Sequence, residues 1–144
     1  MDIALALGGG GYRGVAHIGV IDALQHRGFR VRAIAGTSAG GLVGAAFAAG
    51  NSPTEILNAV QNIDRAKIYR RHSDDGPSLM GHAGLVEALS RLVGERSFTD
   101  LTIPFACTAV DLNTSCEVYL REGKVLDAAM ATMAVPGILP PVLL

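Results

Sequence analysis

Ser38 lies at the centre of Gly36-Thr37-Ser38-Ala39-Gly40, a G-x-S-x-G pentapeptide. A serine at this position can act as a nucleophile when the chain turns sharply around it from a strand into a helix. The flanking residues predict that context. Val31, Ala33, Ile34 and Ala35 read as a short apolar strand, and small apolar residues continue as a helix to Gly50. Gly36 and Gly40 remove the Cβ atoms that would crowd either side of the turn. Ser38 then stands at the C-terminal edge of a sheet and at the start of a helix, where N–H groups and the helix dipole favour negative charge. In isolation the same five residues also describe a glycine-rich turn with a serine N-cap.

A second glycine-rich stretch gives the first its weight. Gly8-Gly9-Gly10-Gly11-Tyr12-Arg13-Gly14 follows an apolar run and precedes a helical one. Gly9, Gly11 and Gly14 fit G-x-G-x-x-G, the pattern of a dinucleotide-binding turn. That reading expects an acidic residue at the end of the second strand, where the sequence has Gly36-Thr37-Ser38 instead. Arg30 and Arg32 frame that strand and could serve a 2′-phosphate, but they leave the serine turn unexplained. The other reading is an oxyanion hole, because consecutive glycines expose successive backbone N–H groups with no side chains in the way. Two adjacent parallel strands would bring both loops to one sheet edge, facing one substrate carbonyl.

The elements that must hold these loops are legible. Asp2–Leu7 reads as a buried first strand and Val15–Arg27 as a helix with Val15, Ile18, Ile21 and Leu24 on its apolar stripe. Strand, helix, strand at this spacing is a right-handed βαβ unit with parallel strands. Ser52-Pro53-Thr54-Glu55 is a capping box with proline at the first helical position, opening a helix to about Ile63. Residues 64–80 are polar and basic, and read as a surface segment or a flap beside the site that touches lipid headgroups. Leu85, Leu89 and Leu92 mark an amphipathic helix ended by Gly94. Pro104–Asp111 and Cys116–Leu120 read as a strand pair, Val125 to about Ala134 as a last helix, and Val142–Leu144 as the start of a buried strand.

Composition narrows the function. The chain has 144 residues, 49% of them hydrophobic and 17% charged, with a net charge of −1. One globular domain is expected, with no global field for nucleic acid. The N-terminus lacks a signal-peptide pattern, and the apolar run near Leu42–Ala49 is too short to span a bilayer, so a cytoplasmic protein, peripheral at membranes at most, is expected. Cys107 and Cys116 are expected as free thiols. The cysteines and histidines form no metal-ligand spacing, and no cofactor is expected. A Ser-acid-His order fails, since after Ser38 only His72 and His82 occur and neither follows Asp111 or Asp127. His17, on the first helix, is expected to be packed or partly buried rather than a base.

Taken together, three blocks resemble the patatin-like phospholipase family: Gly9–Gly14, Gly36–Gly40 and Ala131-Thr132-Met133-Ala134-Val135-Pro136-Gly137-Ile138-Leu139-Pro140-Pro141. Thr132 stands where serine is common, and Asp111-Leu112-Asn113-Thr114 also has the family look. The resemblance covers almost the whole chain. It implies a three-layer α/β/α sandwich around a mixed, mostly parallel sheet, and hydrolysis of lipid acyl esters without a metal. It makes Ser38 the nucleophile within the Gly36, Thr37, Ala39 and Gly40 elbow, and Gly9, Gly10 and Gly11 the oxyanion hole. Arg13 and Gly14 would support that loop or a phosphate group. The family uses a Ser–Asp dyad whose aspartate lies in an Asp-Gly-Gly or Asp-Gly-Ala block after the proline block. That block is expected beyond Leu144, so residues 1–144 are expected to be the N-terminal part of one catalytic domain. Asp75-Gly76 reads as a turn, and neither Asp111 nor Asp127 matches the dyad block. The alternatives are a nucleotide-binding protein and a catalytically inactive lipid-binding relative.

Overall fold

The computed structural model describes residues 1–64, 66–71, 73 and 75–144. In chain order its elements are β1 (Asp2–Leu7), α1 (Ala16–His26), β2 (Arg30–Thr37), α2 (Ala39–Ala48), α3 (Pro53–Gln61), α4 (Ala83–Val93), β3 (Phe105–Asp111), β4 (Cys116–Leu120) and α5 (Val125–Met133). Short 3₁₀ turns at Gly11–Val15 and Phe98–Asp100 complete them. Val15 belongs to the first of these turns rather than to α1, because Gly11 takes a left-handed φ of 55° and tightens the entry.

The sheet runs β1-β2-β3-β4. The first three strands are parallel, and β4 returns antiparallel to β3. This is the mixed, mostly parallel α/β sandwich that the sequence predicts. In-register pairs share a face of a sheet. Leu5 pairs with Ile34, which pairs with Phe105, and Leu7 pairs with Gly36, which pairs with Cys107. These residues face the helices. Gly44 of α2 has no room for a Cβ, which would meet Ile34 at 2.8 Å and Phe105 at 3.0 Å, so α2 lies close on the sheet. α5 packs beside it on β3, and α1, α3 and α4 pack around α2 and α5. Ile18, Ile21, Val43, Ala45, Ala46, Ile56, Leu89, Val93, Val125 and Ala129 close this core.

The opposite sheet face carries Ala4, Ala6, Ala33, Ala35 and Ala106. They floor a shallow depression edged by Phe98, Leu101 and Arg121. Phe98 stacks on Phe105 with ring centroids 5.7 Å apart.

One expectation changes, and another gains detail. Val142–Leu144 joins no strand, and Leu143 is fully open to solvent. Pro140 and Pro141 just before it lack N–H groups, and no strand edge receives it. The polar stretch after α3 is pinned at several points. Leu79 and Met80 donate N–H groups to the Gly137 and Ile138 carbonyls, and Gly81 and Gly84 donate to Tyr69 and Lys67. His72, weighed above as a base, lies outside the described residues.

Candidate active site

Leu7 pairs with Gly36, so β1 and β2 end side by side. The loops that follow them, Gly8–Gly11 and Thr37–Ala39, therefore leave the same sheet edge. The elbow is built by contact. A Cβ on Gly36 would sit 2.6 Å from the Gly40 carbonyl oxygen, and one on Gly40 would collide with the Leu7 carbonyl. A Cβ on Gly14 would collide with that of Ala39. Glycine at these three positions lets β1, β2, α2 and the 3₁₀ turn converge on one point.

Ser38 is at the apex, with φ 53° and ψ −123°, a conformation that costs a non-glycine residue about 1–3 kcal/mol. It is half-buried and occupies the N-cap position of α2, yet its hydroxyl makes no capping bond. The hydroxyl is thus left available, unlike that of Ser52, which caps α3 by accepting from the Glu55 N–H at 3.3 Å. The backbone of Ser38 is well held. Its N–H donates to the Thr132 hydroxyl at 2.8 Å and its carbonyl accepts from the Leu42 N–H at 3.1 Å. Beside it, Thr37 and Thr108 share a hydroxyl–hydroxyl bond of 2.9 Å across β2 and β3.

The glycine loop lies across this apex. A Cβ on Gly9 would be 3.5 Å from the Ser38 Cβ and 3.8 Å from the Thr37 carbonyl oxygen. Gly8, Gly9, Gly10 and Gly11 are exposed. The Gly10 carbonyl accepts the Arg13 N–H at 3.1 Å, closing the turn. The Arg13 guanidinium rests over the Tyr12 ring, 5.9 Å from its centroid. His17 is half-buried, and its Nε2 lies 2.9 Å from the Gly8 carbonyl oxygen. As the Nε2–H donor it fixes the first peptide of the loop. The sequence predicts its partial burial but not this bond, which needs α1 to start within one turn of the loop.

The other candidates stand apart. Asp111 ends β3 at the same sheet edge, but its carboxylate accepts from the Asn113 N–H at 2.9 Å and the Thr114 hydroxyl at 2.8 Å. Those bonds hold it below the usual carboxylate range and make it a weak proton acceptor. Asp127 occupies the first turn of α5, at the far end of that helix from Thr132. Arg30 and Arg32 sit at the opposite end of β2 from Ser38, where both grip the Asp2 carboxylate at 2.7 and 3.0 Å. They cannot reach a phosphate held by the glycine loop. Among the described residues, no three His, Cys, Asp or Glu side chains cluster closely enough to hold a metal ion. Cys107 is buried under α5, and burial pushes its thiol up to about 12.

The family model for patatin-like phospholipases matches residues 5–144. The chain belongs to the patatin-like phospholipase family. An uncharacterized NTE family protein of Mycobacterium bovis is 36% identical over 141 residues, covering 96% of this chain and 39% of that protein. The patatin-like phospholipase domain-containing protein 7 of Rattus norvegicus is 32% identical, over 96% of this chain and 11% of its own length. The lysophospholipase nte1 of Emericella nidulans is 30% identical, over 97% of this chain and 10% of its own length. The chain thus spans less than two fifths of each of these relatives. Among solved structures, the heterodimeric ExoU–SpcU complex of Pseudomonas aeruginosa shares the fold, with a TM-score of 0.63 at 20% identity over 94% of this chain and 36% of that one. Among the described residues of this patatin-like chain, no helix is long and apolar enough to cross a membrane.

Proposed function

We propose that this chain carries the nucleophile and oxyanion hole of a serine acyl hydrolase acting on lipid acyl esters. The observation that carries the reading is the approach of Gly9 to Ser38. It brings an exposed strip of glycines against a serine whose hydroxyl is left uncapped. In this reading Ser38 Oγ attacks the ester carbonyl carbon and its proton passes to a base. The Gly10 and Gly11 N–H groups, with Gly9 beside them, hold the developing oxyanion. The C–O bond to the alcohol breaks, the alcohol leaves with a proton, and water then cleaves the acyl-enzyme to regenerate Ser38. No metal or cofactor takes part. Arg13 and Gly14 support the loop, Gly14 by letting the turn close on Ala39. The base is an aspartate outside residues 1–144, following the resemblance to the family's dyad. The engagement of Asp111 by Asn113 and Thr114 supports that placement.

The substrate class follows from the family, and a lysophospholipid is the natural first probe given the fungal relative's name. Exposed Leu79, Val135 and Ile138, joined through the hydrogen bonds of Leu79 and Met80 to the third block, offer a transient contact to a lipid surface. The test is hydrolysis of lysophosphatidylcholine and a p-nitrophenyl ester by the full encoded polypeptide and its Ser38→Ala variant. Turnover in the first and none in the second supports the mechanism, and equal turnover sinks it. Residues 1–144 alone are expected to hydrolyse slowly or not at all. Extension through an Asp-Gly-Gly or Asp-Gly-Ala block should restore the rate, and asparagine at that aspartate should remove it again. Full activity in the short form would put the base within these residues, with Asp111 and Asp75 the first to mutate.

A further inference from the structure

The β2 ladder ends at Thr37, which pairs with Thr108. The next N–H, that of Ser38, therefore has no strand partner, and α2 begins only at Ala39. A half-buried donor left unmatched at this point would favour any rearrangement that let it reach water. The rearrangement at hand is relaxation of the left-handed φ of Ser38. Thr132 prevents this, since its hydroxyl accepts the Ser38 N–H at 2.8 Å from 94 residues further along the chain.

Two further features place that hydroxyl. A Cβ on Gly41 would lie 2.5 Å from the Thr132 methyl, so glycine at 41 lets α5 come close enough for the bond. One turn earlier on the same face of α5, the Ala128 carbonyl receives the Cys107 thiol at 3.4 Å, which ties the helix to β3. The buried thiol is thereby a fixed anchor rather than a reactive group, and Thr132 is aimed by the sheet itself.

We propose that Thr132 is a positioning residue for Ser38. Its hydroxyl locks the nucleophile's backbone in the turn that presents Oγ, and it takes the Ser38 N–H out of the set of oxyanion donors. The inference rests on the serine-hydrolase reading for its catalytic consequence, but the lock itself is measurable without turnover.

The experiment combines amide exchange with covalent labelling on the full encoded polypeptide. The Ser38 amide should exchange at least about tenfold more slowly than an unprotected amide, the protection expected of a hydrogen-bonded N–H. It should lose that protection in Thr132→Val, which keeps the shape and deletes the acceptor. The rate of Ser38 labelling by a fluorophosphonate should fall about tenfold or more in Thr132→Val, an interaction of ordinary hydrogen-bond strength. Thr132→Ser, which restores the hydroxyl without the methyl, should recover most of the rate. The loss should appear in kcat with KM little changed. A Ser38 amide that exchanges freely in the unmutated protein overturns the proposal, even if the valine variant fails to fold. So does a folded Thr132→Val labelled at the unmutated rate. A protein in which the Ser38 amide is protected but Ser38 takes no label contradicts the hydrolase reading while leaving the lock in place.

Discussion

A methyl group added at Gly36 or Gly40 would run into backbone, whereas at Gly8 and Gly11 nothing lies within 4 Å. Both stretches are rich in glycine and both meet at one sheet edge. In the elbow, glycine is demanded by close approach: three chain segments cross where a side chain would have to stand. In the loop, glycine leaves N–H groups uncovered and, at Gly11, supplies a φ of 55°. The elbow is therefore a device of the folded core, and the loop is a device of the surface. Substitutions in the first should be felt as stability, and those in the second as rate.

Gly40→Ala should give the largest effect. Its Cβ would collide with the Leu7 carbonyl and crowd that of Gly8, contacts that no rotamer relieves. A loss of about 3 kcal/mol or more in denaturant melts is expected, enough to prevent soluble expression. A well-folded Gly40→Ala with normal melting would remove the steric account of the elbow.

Gly11→Ala should separate the two regions most clearly. The left-handed φ costs an alanine about 1 kcal/mol, so the fold should survive with a small drop in melting temperature. If tilting the loop misdirects one oxyanion donor, kcat should fall by about 10²-fold with KM little altered. Equal loss of stability in Gly11→Ala and Gly40→Ala would erase the distinction.

The cysteines report the same contrast between packed and open ground. Cys107 lies beneath Gly41 and its thiol is pushed up to about 12, while Cys116 is exposed on β4. The thiolate is the reactive form, so at about pH 8 iodoacetamide should modify Cys116 rapidly and spare Cys107 in the native protein. Intact-mass spectra showing two fast additions would mean the ground beneath the elbow is loose. The smallest effect is expected for Gly8→Ala, which meets nothing and keeps the carbonyl that binds His17. Its melting and turnover should stay near those of the unmutated protein.

Legibility in the sequence follows the same division. The elbow and the βαβ unit were readable because alternation, small residues and fixed glycine spacing are local signals. Ser52–Glu55 marked the start of α3 for the same reason, and its reciprocal bonds are present at 2.7 and 3.3 Å. Long-range partners left no such mark. Thr132 was visible as a member of the third block, but its bond to Ser38 depends on how α5 docks on β3, set by Cys107 and Gly41. The His17 contact to Gly8 likewise depends on the tight 3₁₀ entry to α1. Val142–Leu144 misled because an apolar triplet has the composition of a strand, while composition says nothing of pairing, and the triplet joins neither edge strand of the sheet, β1 or β4. The polar segment after α3 read as surface from its charges and is largely exposed, but the backbone bonds that pin it at Leu79, Met80, Gly81 and Gly84 do not depend on side-chain character and left no mark in the sequence.

The central claim is that Ser38 is a nucleophile, and the most direct measurement is the site of covalent capture. The full encoded polypeptide would be treated with a fluorophosphonate ester, digested and mapped by tandem mass spectrometry. The account predicts one stoichiometric adduct, on Ser38, absent from Ser38→Ala. An adduct on another residue, or none on a protein that hydrolyses esters, would contradict it.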